Sequence, residues 1–306
     1  MKFSIALPTE RVDAVDEFVT GDAVTEIAAA VEAAGYDGCF VTDHPAPDGK
    51  WLAAGGHHAL DPFVALSFAA ASTARIRLQT HILVLPYRNP LLAAKSILSL
   101  DVLSGGRVIV GGGAGYLKPE FAALGVDFDE RNELSDEAID VMKAAWTQDE
   151  VVYVGHRFHT RGTSMLPRPV SRPHPPIWVG GNSKTAMRRA VDRGDGWVPF
   201  FNPAAAGRAV RTPTLETFDE LEERLSFLRT YAGEVGRSAP MDVCFSLLSL
   251  RGQDQRGYDE VAVIEELARL EELGITWATV GFGARTRAEY LDRARAFAES
   301  VIVQIA

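Results

Sequence analysis

A strand that ends in two glycines and leads into a helix is the first segment of this sequence that could do chemistry. Residues 176–179 are apolar, Gly180 and Gly181 follow, and Asn182 or Ser183 can cap the next helix. Glycine lets an anion approach the backbone closely, and the N–H groups and positive dipole end of a helix start favour a phosphate. The same segment also suits a tight turn with an ordinary cap, so both interpretations stay open.

Two histidines lie in or just after predicted strands. His44 follows Asp43 at the end of the second strand, and His81 lies within the third. A titratable side chain at the carboxyl end of a barrel strand is well placed for proton transfer, and Asp43 could orient it or contact a ligand. The alternative is a surface histidine beside a capping aspartate, with His81 lodged among strand side chains.

Histidines also raise the question of a metal centre. His44, His57, His58 and His81 could supply nitrogen ligands to one. Adjacent histidines generally point apart, however, and the sequence has no His-x-His, His-Glu-x-x-His or Cys/His spacing. We therefore expect no catalytic metal, and a metal-dependent hydrolase is the weaker interpretation.

Residues 110–116 read Val-Gly-Gly-Gly-Ala-Gly-Tyr, which invites comparison with a dinucleotide-binding fingerprint. That fingerprint needs a helix that starts at once, and we expect Pro119 to interrupt any early helix. The run therefore predicts a flat floor of glycine that a planar ring could approach, or else a loose strand end.

Elements that could position these residues alternate along the whole chain, as short β-rich runs and longer stretches with helical periodicity. The predicted strands cover residues 3–7, 38–42, 76–83, 108–112, 177–180, 196–199, 242–248 and 277–281, and the predicted helices cover roughly 22–34, 61–73, 90–103, 131–147, 183–193, 214–233, 258–273 and 286–301. Eight such units favour one closed (β/α)8 barrel, the α/β TIM barrel, over an open doubly wound sheet.

Two insertions interrupt this rhythm, and no linker rich in Pro, Gly or Ser divides the chain, so we expect a single domain over 1–306. The insertion at 43–60 follows strand 2 and should lie at the catalytic mouth. The insertion at 147–176 precedes strand 5 and contains a β-like run at 151–154, so part of it should cross back from the other face of the barrel.

Composition narrows the class of protein. The net charge of −10 argues against a general nucleic-acid binder. The two cysteines, Cys39 and Cys244, lie in apolar runs, which suits a reduced, cytoplasmic protein. The first residues lack the apolar core of a signal peptide, and no run reaches the length of a membrane span. We expect a cytoplasmic protein with a small-molecule substrate.

Four segments make the chain resemble the luciferase-like monooxygenase superfamily, and within it the group of probable F420-dependent oxidoreductases. They are Thr42-Asp43-His44-Pro45, the run 80–90, the Ser-Gly-Gly-Arg of residues 104–107 with Gly111–Gly115, and the run 176–184 with Gly194-Asp195-Gly196-Trp197. The Ser-Gly-Gly-Arg segment is the most specific of these. The last third of the chain matches only as generic barrel repeats.

This resemblance implies a (β/α)8 fold, coenzyme F420 or FMN as the cofactor, and a homodimer. It implies a non-proline cis peptide bond at His81-Ile82, whose bulge backs the cofactor ring. The implied cofactor-binding residues are Asp43, His81, Ile82, Val84, Gly113, Gly180, Gly181, Asn182 and Ser183, with His44 as the catalytic residue. His81 and Val84 depart from the family, which often has hydroxylic residues near the ring.

The function that follows from the resemblance is hydride transfer between F420 and a small organic substrate. Lys184, Arg188 and Arg161 are candidate basic partners for the polyanionic F420 tail. An FMN-dependent monooxygenase on the same barrel is the alternative. A metal-dependent hydrolase and a cofactor-binding protein without catalysis are two further alternatives from other classes.

Overall fold

The computed structural model describes residues 1–204, 212–251 and 257–305, and its centre is a closed barrel of parallel strands. The strands are β1 (Lys2–Ala6), β2 (Gly38–Val41), β3 (Arg77–Val84), β4 (Val108–Gly113), β5 (Val151–Val154), β6 (His159–Thr163), β7 (Ile177–Gly180), β8 (Gly196–Val198), β9 (Asp242–Ser246) and β10 (Trp277–Val280). The barrel order is β1-β10-β9-β8-β7-β4-β3-β2, and β5 and β6 pair separately as an antiparallel hairpin. The predicted (β/α)8 barrel is confirmed.

Helices surround this barrel. They are α1 (Val15–Phe18), α2 (Gly21–Ala34), α3 (Gly49–Ala53), α4 (Pro62–Ser72), α5 (Pro90–Ser104), α6 (Lys118–Ala123), α7 (Arg131–Thr147), α8 (Lys184–Arg193), α9 (Phe218–Glu234), α10 (Glu260–Leu273), α11 (Arg287–Phe297) and α12 (Val303–Ile305). Sequence signals explain several starts. The side chains of Asp61 and Asn89 each accept N–H groups from the first turn of a helix, and each is followed by proline, whose missing N–H costs nothing there. None of the described helices is long and apolar enough to cross a membrane.

Two apolar clusters lie on the two faces of the barrel strands. Alternate residues such as Phe3 and Ile5 of β1 belong to the large cluster that packs against the helices. A smaller cluster consists of Ile109, Trp178, Val198, Cys244 and Trp277, with Ile82 packed against it. Because successive strand residues point to opposite faces, this smaller cluster fills the inside of the barrel.

The predicted barrel strands and their helices are found with shifts of a few residues at their ends. One prediction from the glycine run was wrong. Pro119 does not prevent a helix, because it occupies the first turn of α6, where its missing N–H needs no partner. The insertion at 43–60 contains the short helix α3, and the insertion at 147–176 contains the hairpin, of which only β5 was predicted.

Two buried carboxylates hold the second insertion against the barrel. Asp101 of α5 accepts the backbone N–H groups of Val170 and Ser171 at 2.8 and 3.1 Å and the Ser171 hydroxyl at 2.7 Å. Glu137 of α7 accepts the N–H groups of Arg157 and Phe158 at the hairpin turn. These bonds satisfy backbone donors that no sheet or helix serves.

Replacing Asp101 by alanine should therefore destabilise the protein. The change leaves the part-buried N–H groups of Val170 and Ser171 without their acceptor, whereas the Ser171 hydroxyl can still donate to the Gly106 carbonyl. We expect the free energy of unfolding to fall by about 2 kcal/mol in urea titrations. Asp149→Ala is the control, because this aspartate is fully exposed in its pair with Arg168 and should matter little. Equal effects of the two changes would contradict the anchoring role of Asp101.

Candidate functional site

The residues with candidate roles meet at the carboxyl end of the barrel. His44 follows β2, His81 and Ile82 lie near the end of β3, Gly113 ends β4, and residues 180–183 lie between β7 and α8. These four strands are neighbours in the barrel. The structure therefore brings the predicted residues to one side of the mouth, where β/α barrels carry their active sites.

The peptide bond between His81 and Ile82 is cis, as the resemblance implies. The pairing of β3 with β4 shifts register between Thr80 and Leu83, so the strand bulges at this bond. A Cβ atom on Gly113 or Gly180 would lie 3.0 Å from the nearest side-chain carbon of Ile82. Ile82 therefore covers these two glycines, and the glycine floor is needed to seat this side chain.

His81 is half-buried inside the barrel, with its ring centroid 4.7 Å from that of Phe40. The side-chain amide of Gln79 lies 3.3 Å from Nδ1 and can only donate there, so the ring proton belongs on Nε2. Burial lowers the pKa of His81 to about 4. This histidine is therefore neutral at physiological pH and is not a proton donor of the imidazolium type.

His44 is held by a carboxylate that sequence reasoning missed. Its Nδ1 lies 3.2 Å from Oε2 of Glu120, whose side chain has no exposed surface. Glu120 also accepts the Tyr87 hydroxyl at 2.9 Å and the backbone N–H of Ala46 at 2.8 Å. The carboxylate thus fixes the His44 ring and joins the ends of β2, β3 and β4.

Electrostatics keep Glu120 charged. Burial by itself raises the pKa of this carboxyl, but the hydrogen bonds from His44, Ala46 and Tyr87 hold the pKa below its ordinary value. Burial and the nearby carboxylate raise the pKa of Tyr87. At neutral pH, His44 Nδ1–H and the Tyr87 hydroxyl therefore donate to a carboxylate, and Nε2 remains as the His44 nitrogen that can exchange a proton.

Aromatic side chains enclose His44 on the mouth side. The Trp51 ring of α3 lies 4.4 Å from the His44 ring, and the His57 and Tyr116 rings lie 5.0 and 6.1 Å away, all as centroid distances. Burial lowers the pKa of His57, and burial together with Glu120 raises the pKa of Tyr116 to about 12. The first insertion thus lies at the mouth, as predicted, and surrounds His44 with uncharged rings.

Asp43 binds protein groups with both carboxylate oxygens. Arg88 donates to them at 2.6 and 2.8 Å, and the backbone N–H of Val84 donates to Oδ2 at 2.9 Å. The Val84 side chain is buried with Phe121 and Phe128. The structure therefore gives Asp43 a role in joining the ends of β2 and β3, beneath the position of His44.

The β7–α8 turn has the backbone of an anion site. Gly181 has a φ of +124°, which side-chain-bearing residues rarely adopt, and Ser183 caps α8 by accepting the N–H of Ala186. The Asn182 side chain is buried and bonds the backbone of Phe200 and Pro213 instead of facing outward. Ser183 and the N–H groups of the helix start are thus the groups that could hold a phosphate.

Two of the three candidate basic residues place their cationic groups against an aromatic ring. The cationic groups of Lys184 and Arg188 lie over the Phe227 ring of α9, at 5.2 and 5.9 Å from its centroid. Arg161 is exposed on β6. In these positions, the cationic groups of Lys184 and Arg188 contact the Phe227 ring and not the β7–α8 turn.

Of the four histidines considered for a metal, His44 and His57 lie close together, with ring centroids 5.0 Å apart, and His58 and His81 do not join them. His81 faces Phe40, and the exposed His58 offers only its backbone oxygen, to His57. Over residues 1–204, 212–251 and 257–305, no group of three or more His, Cys, Asp or Glu side chains could hold a metal ion.

Glu120 and Tyr87 are the partners that sequence reasoning missed. A helix-start pattern was available for Glu120, because proline followed by an acidic residue is typical of a first helical turn. No local pattern connects Glu120 to His44, since 76 positions separate them.

Fold and site together define a (β/α)8 barrel with a cis bulge in β3 and a histidine after β2. A profile of the luciferase-like monooxygenase family matches residues 1–255. An uncharacterised protein of Mycobacterium tuberculosis is 30% identical over 268 residues, which cover 84% of this chain and 83% of the relative. The chain belongs to the luciferase-like monooxygenase family.

Characterised relatives divide between two cofactors. An F420-dependent glucose-6-phosphate dehydrogenase of Gordonia bronchialis is 34% identical over 57% of this chain and 52% of its own length. An FMNH2-dependent dimethylsulfone monooxygenase of Pseudomonas putida is 37% identical over 39% of this chain and 34% of its own length. Enzymes of both kinds, F420-dependent and FMNH2-dependent, therefore occur among the relatives of this chain.

Solved structures agree on the fold. A monooxygenase from Streptomyces bottropensis superposes with a TM-score of 0.82 at 22% identity, over all of both chains. A coenzyme F420-dependent tetrahydromethanopterin reductase from Methanopyrus kandleri superposes with a TM-score of 0.74 at 17% identity, over 100% of this chain and 99% of the reductase.

The first prediction from this site concerns Glu120→Gln. The amide keeps the shape but removes the charge that supports a protonated His44, so turnover should fall by about tenfold to a hundredfold. Cofactor affinity should stay nearly constant. Steady-state kinetics and a cofactor titration measure these effects.

Tyr87→Phe is the matched control, because it removes one hydrogen bond to Glu120 and leaves the charge. It should reduce turnover less than Glu120→Gln does. Equal losses of turnover in the two variants would mean that the charge of Glu120 has no role in the reaction.

Proposed function

We propose that this protein is an F420-dependent oxidoreductase that transfers a hydride between the deazaflavin and a small organic substrate. The observation that carries the proposal is the charged, buried Glu120 that holds Nδ1 of His44 at the barrel mouth. A carboxylate in this position orients the imidazole and stabilises its protonated form, which suits a residue that gives and takes a proton. The first insertion places the rings of Trp51 and His57 around His44.

The residues present fit a flavin-like ring and a phosphate. The bulge at His81-Ile82 and the side chain of Ile82, seated on Gly113 and Gly180, would support the back of the ring. Ser183 and the N–H groups at the start of α8 would hold the phosphate, with Gly180 and Gly181 leaving room for it beside the backbone and Asn182 keeping the turn in place. Asp43 and Val84 would support the cofactor ring indirectly, because the hydrogen bond between them joins the ends of β2 and β3. When bound, F420 supplies the hydride chemistry.

His44 would manage the proton that accompanies the hydride. With an alcohol as substrate, Nε2 of His44 would take the hydroxyl proton. In the reverse direction, Nε2 would return that proton to the carbonyl oxygen of the substrate. Glu120 balances the positive charge on the ring in both directions. Trp51 and Tyr116 would exclude water from this exchange.

An FMN-dependent monooxygenase is the second candidate. The Pseudomonas relative and the Streptomyces structure support it, because both are monooxygenases by name. Fluorescence titration of the purified protein with F420 and with FMN separates the two. Submicromolar binding of FMN without any response to F420 would overturn the F420 proposal.

Measurements of turnover and of metal content distinguish the proposed oxidoreductase from a non-catalytic carrier and from a metal-dependent hydrolase. Reduced F420 should be oxidised in the presence of enones, imines or nitro compounds, whereas a carrier would bind the cofactor and show no turnover. Stoichiometric zinc or iron in elemental analysis would favour the hydrolase. The homodimer, the cytoplasmic location and the absence of nucleic-acid binding stay predictions.

Gly181→Asp should weaken F420 binding by about tenfold or more, because the new carboxylate would face the phosphate at a helix start. Two controls separate charge from backbone strain. Gly181→Ala has the same unfavourable φ without the charge, and Gly236→Asp adds a charge at a positive-φ glycine with open space around it. Unchanged affinity in a folded Gly181→Asp variant would show that the phosphate lies elsewhere.

His44→Ala should reduce turnover by about a hundredfold to ten-thousandfold and change F420 affinity by no more than about threefold. The reason is that the imidazole acts on the transferred proton and contributes little to cofactor binding. His58→Ala, an exposed histidine of the same insertion, is the control and should retain activity. Equal losses of turnover and affinity in His44→Ala would make His44 a binding residue only.

A further inference from the structure

The side chain of His81 offers a hydrogen-bond donor that the chemistry proposed at the mouth leaves unused. The Gln79 amide donates to Nδ1 at 3.3 Å, so Nε2 carries the ring proton. Nε2 forms no hydrogen bond with the described residues, and unlike Oε1 of Gln79 it is not sealed from the surface. The side chain as a whole is half-buried. An N–H group of this kind can reach an acceptor that enters from the mouth.

The bulge of β3 turns two successive side chains into the barrel, where a regular strand would alternate its faces. Ile82 packs against the cluster that fills the barrel and covers Gly113 and Gly180. The His81 ring lies against Phe40 of β2, at 4.7 Å between centroids. The two side chains therefore diverge, with Ile82 towards β4 and β7 and His81 towards β2.

These directions separate two parts of the mouth. The candidate phosphate turn lies on the side of Ile82, because it follows β7. His44 lies on the side of His81, because it follows β2, the strand that carries Phe40. A cofactor that rests on Ile82 and reaches the β7–α8 turn would leave the N–H of His81 to the substrate.

The inner wall around His81 is uncharged. Thr42 and Ser246 are half-buried, and they face the inside because their neighbours Val41 and Phe245 belong to the outer cluster. Burial lowers the pKa of His81 to about 4, so its ring is neutral as well. An ionic group of a substrate would find no opposite charge among these side chains, and burying an unpaired charge is unfavourable.

We propose that Nε2–H of His81 donates a hydrogen bond to the carbonyl oxygen of an uncharged substrate and thereby selects this class of compound. The inference rests on the proposed function and names its substrate class, which is ketones, aldehydes and enones or the corresponding alcohols. The imidazole of His81 keeps its proton throughout, because proton exchange is the task of His44. His81 is thus a specificity-determining residue.

The test is an NMR titration of the full chain with isotope-labelled histidine, with and without oxidised F420, which cannot reduce a ketone. The probes are cyclohexanone, methylenecyclohexane, which has the same shape without the oxygen, and cyclohexanecarboxylate. The proton of His81 should be on Nε2, and cyclohexanone should shift the signal of this nitrogen. Cyclohexanone should bind at least about threefold more tightly than methylenecyclohexane and at least about tenfold more tightly than the carboxylate.

Two substitutions of His81 separate the N–H group from the ring. His81→Phe keeps a ring without the donor, so cyclohexanone affinity should fall by about threefold to tenfold while methylenecyclohexane and F420 affinities change by less than about twofold. His81→Gln retains an N–H donor and should keep most of the cyclohexanone affinity. Loss of the His81 signals in either variant assigns them. His58→Ala, at an exposed histidine, is the control and should change none of these affinities.

The proposal is overturned by equal binding of cyclohexanone and methylenecyclohexane, by no binding of cyclohexanone, or by a ring proton on Nδ1 in the wild-type protein. Reduced F420 affinity in His81→Phe with unchanged cyclohexanone affinity would assign the N–H to the cofactor instead. The wild-type titrations decide the matter even if neither variant folds. Failure of the proposed function is seen separately, as absence of F420 binding, because the cyclohexanone titration is also made without cofactor.

Discussion

Closure of the barrel is the constraint on which the other features depend. β1 pairs with β10 in parallel, so the hydrogen-bonded ring has no open edge and every strand points the same way. All carboxyl ends then form one rim. His44, the cis bulge and the β7–α8 turn lie close together on that rim because β2, β3, β4 and β7 are successive members of the ring. Without the pairing of these neighbouring strands, the segments would be distant parts of one chain.

Buried carboxylates connect the loops to this ring. Glu120, Asp101, Glu137 and Glu266 each accept backbone N–H groups of an irregular segment. An irregular segment has donors that neither helix nor sheet satisfies, and a charged acceptor makes a stronger bond than a neutral one. Glu120 differs from the others because it also binds His44, so the same carboxylate holds a loop and orients the candidate catalytic ring.

The two ends of the barrel have different chemistry. At the mouth, Asp43 and Glu120 accept hydrogen bonds from Arg88 and Tyr87. The other groups there are the aromatic rings around His44 and the N–H groups at the start of α8. At the opposite end of the barrel, the acids Glu32, Asp37 and Asp242 accept hydrogen bonds from backbone N–H groups or from the Thr276 hydroxyl. Among the described residues, the basic side chains of Lys2 and Arg77 form no ion pair there. The mouth is therefore organised around one histidine, whereas the opposite end has acidic and basic groups side by side.

The barrel could be predicted from the sequence because its elements leave local patterns. Strands that helices cover on one face are continuous apolar runs, and helix starts have capping residues. The cis bond at His81-Ile82 came from family resemblance, whereas the position of His44 at the end of the second strand followed from the strand pattern. The partner of His44 could not be predicted, since Glu120 lies 76 residues away on a short helix and meets it only when β2, β3 and β4 align. The sequence by itself determined which elements form and where their polar residues fall along the chain. Only the tertiary structure decided that Asp43 accepts hydrogen bonds from Arg88 and that the Asn182 side chain bonds the backbone of Phe200. The physical reason is that hydrogen bonds form between groups that folding brings close together.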